Sequence, residues 1–188
     1  MTLSDERAII KKVQDGDAEA FGLLVEHYEP KIRRYGRNFL SDKEDIYDIV
    51  QNVFMKAYVN IKSFSPDLPF SPWIYRIAHN EFANELRKKS NRPFINIDFD
   101  TDIFFPHPVA PETADKESDD NLLKKAMSES LSGLNEKYKE PLVLYFYEEL
   151  DYKEIADVLH IPVSTVGVRI SRGKEKLKEI FEQKYGKQ

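Results

Sequence analysis

The stretch Asp45-Ile46-Tyr47-Asp48-Ile49-Val50-Gln51-Asn52-Val53-Phe54-Met55-Lys56-Ala57-Tyr58 decides the fold class. Ile46, Ile49, Val50, Val53, Phe54 and Ala57 recur at the spacing of one apolar helix face. The polar side carries Asp45, Asp48, Gln51 and Asn52 and, taken alone, reads as a solvated face. Upstream, Asp17-Ala18-Glu19-Ala20-Phe21 opens a second helix, with Phe21, Leu24, Val25 and Tyr28 on one side. Downstream, residues 63–70 contain Pro66 and Pro69 and cannot form a helix interior. Ser71-Pro72 then supplies an N-cap residue and a proline at the first helical position, which predicts a helix to about Lys89.

Further on, residues 122–134 and 141–149 read as two helices. Asp151-Tyr152-Lys153-Glu154 is a capping-box start for a short helix reaching Leu159, and a last helix runs from Val163 to about Phe181. The expected fold is all-α. Two small helical domains, residues 1–92 and 119–188, are joined by a flexible acidic linker at 93–118, and the second contains a helix-turn-helix. The linker collects Pro93, Pro106, Pro108 and Pro111, and prolines favour extended chain. Its alternating Phe94–Phe99 segment leaves a short edge strand open as an alternative.

Charge adds a second layer. The 188 residues hold 28 basic and 33 acidic side chains, net −5. That sum argues against nucleic acid, but its distribution does not. Residues 93–118 contribute six acids and one lysine, whereas residues 163–188 hold seven basic and three acidic residues. Local charge, not the total, sets the potential that a phosphate backbone meets. The absence of cysteine excludes disulfides and thiolate chemistry. No apolar run approaches the ~18 residues of a membrane span, and the start lacks the pattern of a signal peptide. A cytoplasmic chain without membrane insertion is expected.

Two constellations could carry function. In the helix-turn-helix, Val166, Ile170, Gly173 and Leu177 form the inner face of the second helix. Gly167, Val168, Ser171 and Arg172 then face outward, with Arg169, Lys174, Lys176 and Lys178 around them. Ser164 and Thr165 stand at its N-terminus, where N–H groups and hydroxyls can hold a phosphate. Such a helix suits the major groove, although a helical hairpin with a solvated basic face fits the spacing too. The second constellation follows Pro72. Trp73, Arg76, Asn80, Asn84 and Arg87 form one stripe, and Arg87-Lys88-Lys89 ends it in positive charge. An aromatic beside Asn and Arg can hold unstacked bases, with the Phe64–Phe70 loop cupping one; a core tryptophan is the alternative. Catalytic arrangements are missing: no phosphate-cradling glycine loop and no nucleophile elbow. The carboxylates are expected on solvated faces with nothing to shift their pKa. No enzyme, metal site or cofactor is expected.

Together these residues resemble a bacterial RNA polymerase sigma factor of the extracytoplasmic-function (ECF) group. Asp17–Phe21 is similar to that family's GDxxAF opening, Asp48–Tyr58 to its DxVQxxFxxAY segment, and Phe70–Asn80 to its FxxWLYRIAxN segment. Leu134–Tyr138 and Tyr152–Val166 resemble its second domain. The resemblance implies a transcription initiation factor that binds core RNA polymerase through the β′ clamp helices and β flap, with promoter DNA and an anti-sigma factor as further partners. Asp48, Gln51, Asn52 and Phe54 would meet polymerase. Phe64, Phe70, Trp73, Arg76, Asn80, Asn84, Arg87 and Lys88 would receive the single-stranded −10 element. Ser164, Thr165, Gly167, Val168, Arg169, Ser171, Arg172, Lys174 and Lys176 would read or hold the −35 element. Two departures stand out: residues 46–52 lack both glutamates of the family's AEDxVQE segment, and Gly167 replaces a usual Lys or Arg. A helix-turn-helix regulator acting without polymerase is the alternative, and a structural helical adaptor a third.

Overall fold

The computed structural model of the chain describes residues 2–89 and 119–186. The segment expected to be the acidic linker, and its alternative strand, lie outside the described residues. Within those residues the regular structure is entirely helical, and it divides into two compact units.

The N-terminal unit holds α1 (Leu3–Gln14), α2 (Phe21–Gly36), α3 (Lys43–Asn60), a 3-10 turn (Ile61–Ser63) and α4 (Phe70–Lys89). In α3, the Asp42 side chain caps the start by accepting from the N–H groups of Glu44 and Asp45. All six residues of its apolar series are buried between α2 and α4. The centre of the unit is aromatic. Tyr35, Phe39, Tyr75 and Phe82 are fully buried, and the Phe39 and Phe82 rings stack with centroids 5.5 Å apart. Gly36 makes room for that stack, because a Cβ there would lie 2.3 Å from Phe82 Cζ.

Several boundaries differ from the sequence reading. α1 has no counterpart in it. Thr2 caps α1 in a reciprocal box with Asp5, and Ile10 and Val13 anchor it. α2 begins at Phe21 rather than Asp17, whose carboxylate instead accepts from Ala20 N–H at 3.1 Å and shapes the preceding turn. α4 begins at Phe70, so Pro72 is its third residue and not its first. The first-turn N–H groups have no intrahelical acceptor, and proline is tolerated there.

The C-terminal half of the chain holds α5 (Asp119–Ser132), α6 (Glu136–Phe146), α7 (Tyr152–Leu159) and α8 (Val163–Tyr185). α6 starts at Glu136, five residues before Pro141, where the spacing predicts its start. Asn135 caps it by accepting from Lys137 N–H at 3.0 Å, and Pro141 sits inside. α7 opens as the capping box requires: Asp151 accepts from Glu154 N–H at 2.9 Å, and Glu154 accepts from Asp151 N–H at 2.8 Å. The turn into α8 places His160 at φ 54°, with Ile161 N–H donating back to the Ala156 carbonyl. α8 packs on α6 at Gly173, where a Cβ would come within 2.9 Å of Leu142 Cδ1 and 3.3 Å of the Tyr138 carbonyl oxygen. Gly173, read as an inner-face residue, is the point of close approach between the two helices.

Not every carboxylate lies on a solvated face. Glu6 is buried, accepting from the Tyr28 hydroxyl at 2.5 Å and tying α1 to α2. Burial and that carboxylate push the Tyr28 phenol well above its ordinary value. Burial likewise pushes the Glu136 carboxyl up to about 7; Lys139 opposes the rise and Glu140 adds to it.

Candidate nucleic-acid interface

α4 displays the expected row. Arg76, Asn80, Asn84, Arg87 and Lys88 are all exposed, while Ile74, Ala78 and Phe82 on the other side are buried. Arg87 donates to Asn84 Oδ1 at 2.7 Å, which holds the two polar heads together. Trp73 is neither wholly core nor a bare platform. It is half-buried, with its ring 4.8 Å from that of Phe64 and 5.3 Å from that of Phe70. Phe64 and Phe70 themselves are buried, Phe70 completely. They support the tryptophan and the loop from below and present almost no surface of their own, which corrects their assignment as contact residues. Between them, Ser65, Asp67, Leu68 and Pro69 are exposed.

A second surface lies between α2 and α3. It is an open groove with Phe21, Val25, Tyr47, Gln51, Phe54 and Tyr58 among its lining residues. Tyr47, Met55 and Tyr58 are at least 45 % exposed, as is Val59 beyond them, so α3 carries apolar residues outside its buried face. Phe54 is buried and forms the floor. Asp48 and Asn52 are exposed one row further round the helix. Asp45, grouped with them in sequence, instead pairs with Lys89 of α4.

The outer face of α8 carries Ser164, Val168, Ser171 and Arg172, all exposed. Thr165, Arg169 and Lys176 lie along one flank, and Lys176 Nζ stands 5.8 Å from the Tyr138 ring centre. The other flank holds Gly167 and Lys174. Gly167 does not point outward as the spacing suggested: it stands beside α7, where a Cβ would meet Tyr152 Cε2 at 3.6 Å. Lys174 Nζ lies 5.3 Å from the Phe146 ring centre and 5.9 Å from that of Tyr145.

The sequence reading missed a further feature, an apolar cleft of about 480 Å³ between α5, α6 and α8. Met127, Leu131, Leu142, Phe146, Leu177 and Phe181 line it, and Phe146 is 56 % exposed. The signal was present in Tyr145-Phe146-Tyr147, three aromatics in a row at the end of α6, which no amphipathic helix can bury together. Among the described residues, no group of His, Asp and Glu is placed to hold a metal, and no helix is long and apolar enough to cross a membrane.

Two family models match the chain, Sigma-70 region 2 over residues 24–92 and Sigma-70, region 4 over residues 124–177. The ECF RNA polymerase sigma factor SigW of Bacillus subtilis (strain 168) is 34% identical over 174 residues, covering 90% of this chain and 93% of its own. The chain belongs to the ECF sigma factors. The ECF RNA polymerase sigma-E factor of Haemophilus influenzae is similarly placed, 33% identical with 90% and 92% covered. The fold also matches CnrH, solved in complex with the cytosolic domain of CnrY, at a TM-score of 0.69 and 24% identity over 95% of this chain and 98% of that one. The Bartonella quintana sigma factor RpoE, solved with the anti-sigma factor NepR, gives 0.70 and 23% over 88% and 98%. As an ECF sigma factor, the protein is a promoter-recognising transcription initiation factor. The reading as a regulator acting apart from polymerase is not favoured, because both halves match sigma regions.

Proposed function

We propose that this ECF sigma factor divides initiation among the surfaces described above. The exposed row Arg76, Asn80, Asn84, Arg87 and Lys88, with the open edge of Trp73, receives the unstacked strand of the −10 element. Base stacking on an aromatic contributes ~1–3 kcal/mol per base, and the amides and guanidinium groups supply hydrogen bonds to base edges and phosphates. Phe64 and Phe70 act beneath this surface. On α8, Arg172 and Ser171 read the −35 element in the major groove and Val168 contacts a thymine methyl. Ser164, Thr165, Arg169, Lys174 and Lys176 hold phosphates, which sets register. Gly167, turned to Tyr152, takes no part in readout.

The groove between α2 and α3, with Gln51 and the neighbouring Asp48 and Asn52, meets the β′ clamp helices of core polymerase. The cleft between α5, α6 and α8 accepts the β flap. The protein works in the cytoplasm, and an anti-sigma factor covers one or both polymerase surfaces. A chain of the same fold is seen with such a factor in the Bartonella complex.

The observation that carries this reading is the sorting of α4, with Ile74, Tyr75, Ala78 and Phe82 buried on its inner side and a polar and cationic row in solvent beside a half-covered tryptophan. Permanganate footprinting of holoenzymes with Arg76→Ala and Asn80→Ala tests it. Both variants are expected to bind core polymerase as wild type does and to lose thymine reactivity in the −10 region. Unchanged reactivity in both would remove the row from the mechanism.

A further inference from the structure

α1 contributes to none of these surfaces, yet its last residue reaches the loop before α4. Gln14 Nε2 donates to the Ile61 carbonyl at 2.7 Å and to the Phe64 carbonyl at 2.7 Å, far along the chain from its own position. A carboxamide carries two N–H donors, and both are used here. The two carbonyls bracket the 3-10 turn Ile61–Ser63, whose end is further closed by Phe64 N–H donating to Ile61 at 3.1 Å. The Ile61 carbonyl thus accepts twice, from Phe64 N–H within the turn and from Gln14 across to α1. Nearer its start, α1 reaches the same loop again: Arg7 pairs with Asp67. Both groups are more than half exposed, so this pair adds little strength but fixes which part of the loop faces α1.

The residue that Gln14 holds matters for what stands above it. The Phe64 ring is the nearer of the two that support Trp73. Ile10 and Val13 are buried and Glu6 accepts from Tyr28, so α1 has attachments other than Gln14. Gln14 therefore acts on the loop more than on the attachment of its own helix.

We infer that α1 is a positioning element for recognition of the unstacked −10 strand, with Gln14 fixing Phe64 and, through it, the edge of Trp73 and the loop Ser65–Pro69. Gln14 is a positioning residue and touches no DNA. The inference rests on the reading of α4 as the −10 surface.

Two variants test it. Gln14→Glu keeps the shape but sets a carboxylate without donors against two carbonyls; Gln14→Met keeps the length and removes all polarity. Trp73 is the chain's one tryptophan, so its quenching by acrylamide reports on this spot directly. Holoenzymes of wild type and both variants are then offered fork-junction DNA randomised in the unpaired strand. Both variants are expected to quench more readily at unchanged helix content and unchanged affinity for core polymerase. They should also retain roughly tenfold less DNA, the equivalent of losing one or two ordinary hydrogen bonds, with a flatter base preference. If the Glu variant unfolds the unit, the Met variant reads the same quantities. Wild-type holoenzyme without any preference in the unpaired strand would overturn the α4 reading and the positioning role with it. A wild type that selects, beside variants that select equally or whose Trp73 quenching is unchanged, would overturn the positioning role alone.

Discussion

Gly36→Ala probes the packing that sets α4, and with it the promoter-facing row, in place. The new methyl would lie 2.3 Å from Phe82 Cζ, 2.7 Å from Cε1 and 3.2 Å from Ile46 Cγ2. Ordinary carbon contacts are about 3.5–4.0 Å, so the Phe82 ring must retreat by roughly 1 Å or more. It has nowhere to go, because it is fully buried and flanked by Phe39 at 5.5 Å and Tyr35 at 6.0 Å between ring centres. Overpacking of this kind costs about 1–3 kcal/mol. The helix preference of alanine over glycine returns at most ~1 kcal/mol, and less at the last residue of α2. A net loss of about 2 kcal/mol is expected, which displaces a urea midpoint by roughly 1 M. Trp73 belongs to the same unit, so its fluorescence follows this transition without interference from the C-terminal one. Gly167→Ala is the control: its nearest neighbour is Tyr152 at 3.6 Å, and a gain of up to ~1 kcal/mol is expected there by circular dichroism. A Gly36→Ala midpoint equal to or above that of wild type would refute the packing argument.

Arg172→Ala should cost ~1–3 kcal/mol of promoter binding and relax preference at one −35 position, read by selection from a randomised library. Lys174→Ala should weaken all promoters alike and reduce the salt dependence of binding by about one charge; a change in −35 preference would contradict its assignment to phosphate. Gln51→Ala combined with Met55→Asp, which places a charge in the α2–α3 groove, should reduce affinity for core polymerase while leaving the urea midpoint near wild type. The Glu136 carboxyl, pushed up to about 7 in the folded chain against an ordinary 4.5, holds its proton more tightly when folded. Its contribution is therefore fully present below about 4.5 and is lost as pH rises through about 7. Glu136→Gln should flatten that decline, measured as the difference between variant and wild-type urea midpoints at pH 5 and pH 8.

How much of this could be read from the sequence depended on what each residue packs against. The six apolar residues of α3 face two neighbours continuously, so their spacing specified the helix and its buried side without further information. α1 was silent because only Ile10 and Val13 of its apolar residues are buried and its capping box uses Asp5 where a longer acid is the usual signal. Pro141 misled for a different reason. Proline favours the first turn, but Asn135 supplies the actual cap and the helix runs through the proline. Helical spacing also placed Val168, Ser171 and Arg172 outward, yet it could not tell which flank of α8 leans on α7. That flank is where Gly167 lies, against Tyr152. The α4 row was legible as a stripe, whereas the half-burial of Trp73 depends on Phe64 and Phe70 beneath it. The bonds from Gln14 were not legible at all, since nothing local links position 14 to positions 61 and 64.

Run-off transcription tests most directly that the two halves act together as a polymerase subunit. Purified core RNA polymerase is incubated with and without this chain on a library of templates randomised across the −35 and −10 regions. Transcripts should appear only when the chain is present, and the templates that yield them should share one −35 and one −10 sequence at a fixed spacing. No chain-dependent transcripts, together with tight and specific binding of the chain alone to duplex DNA, would contradict the assignment.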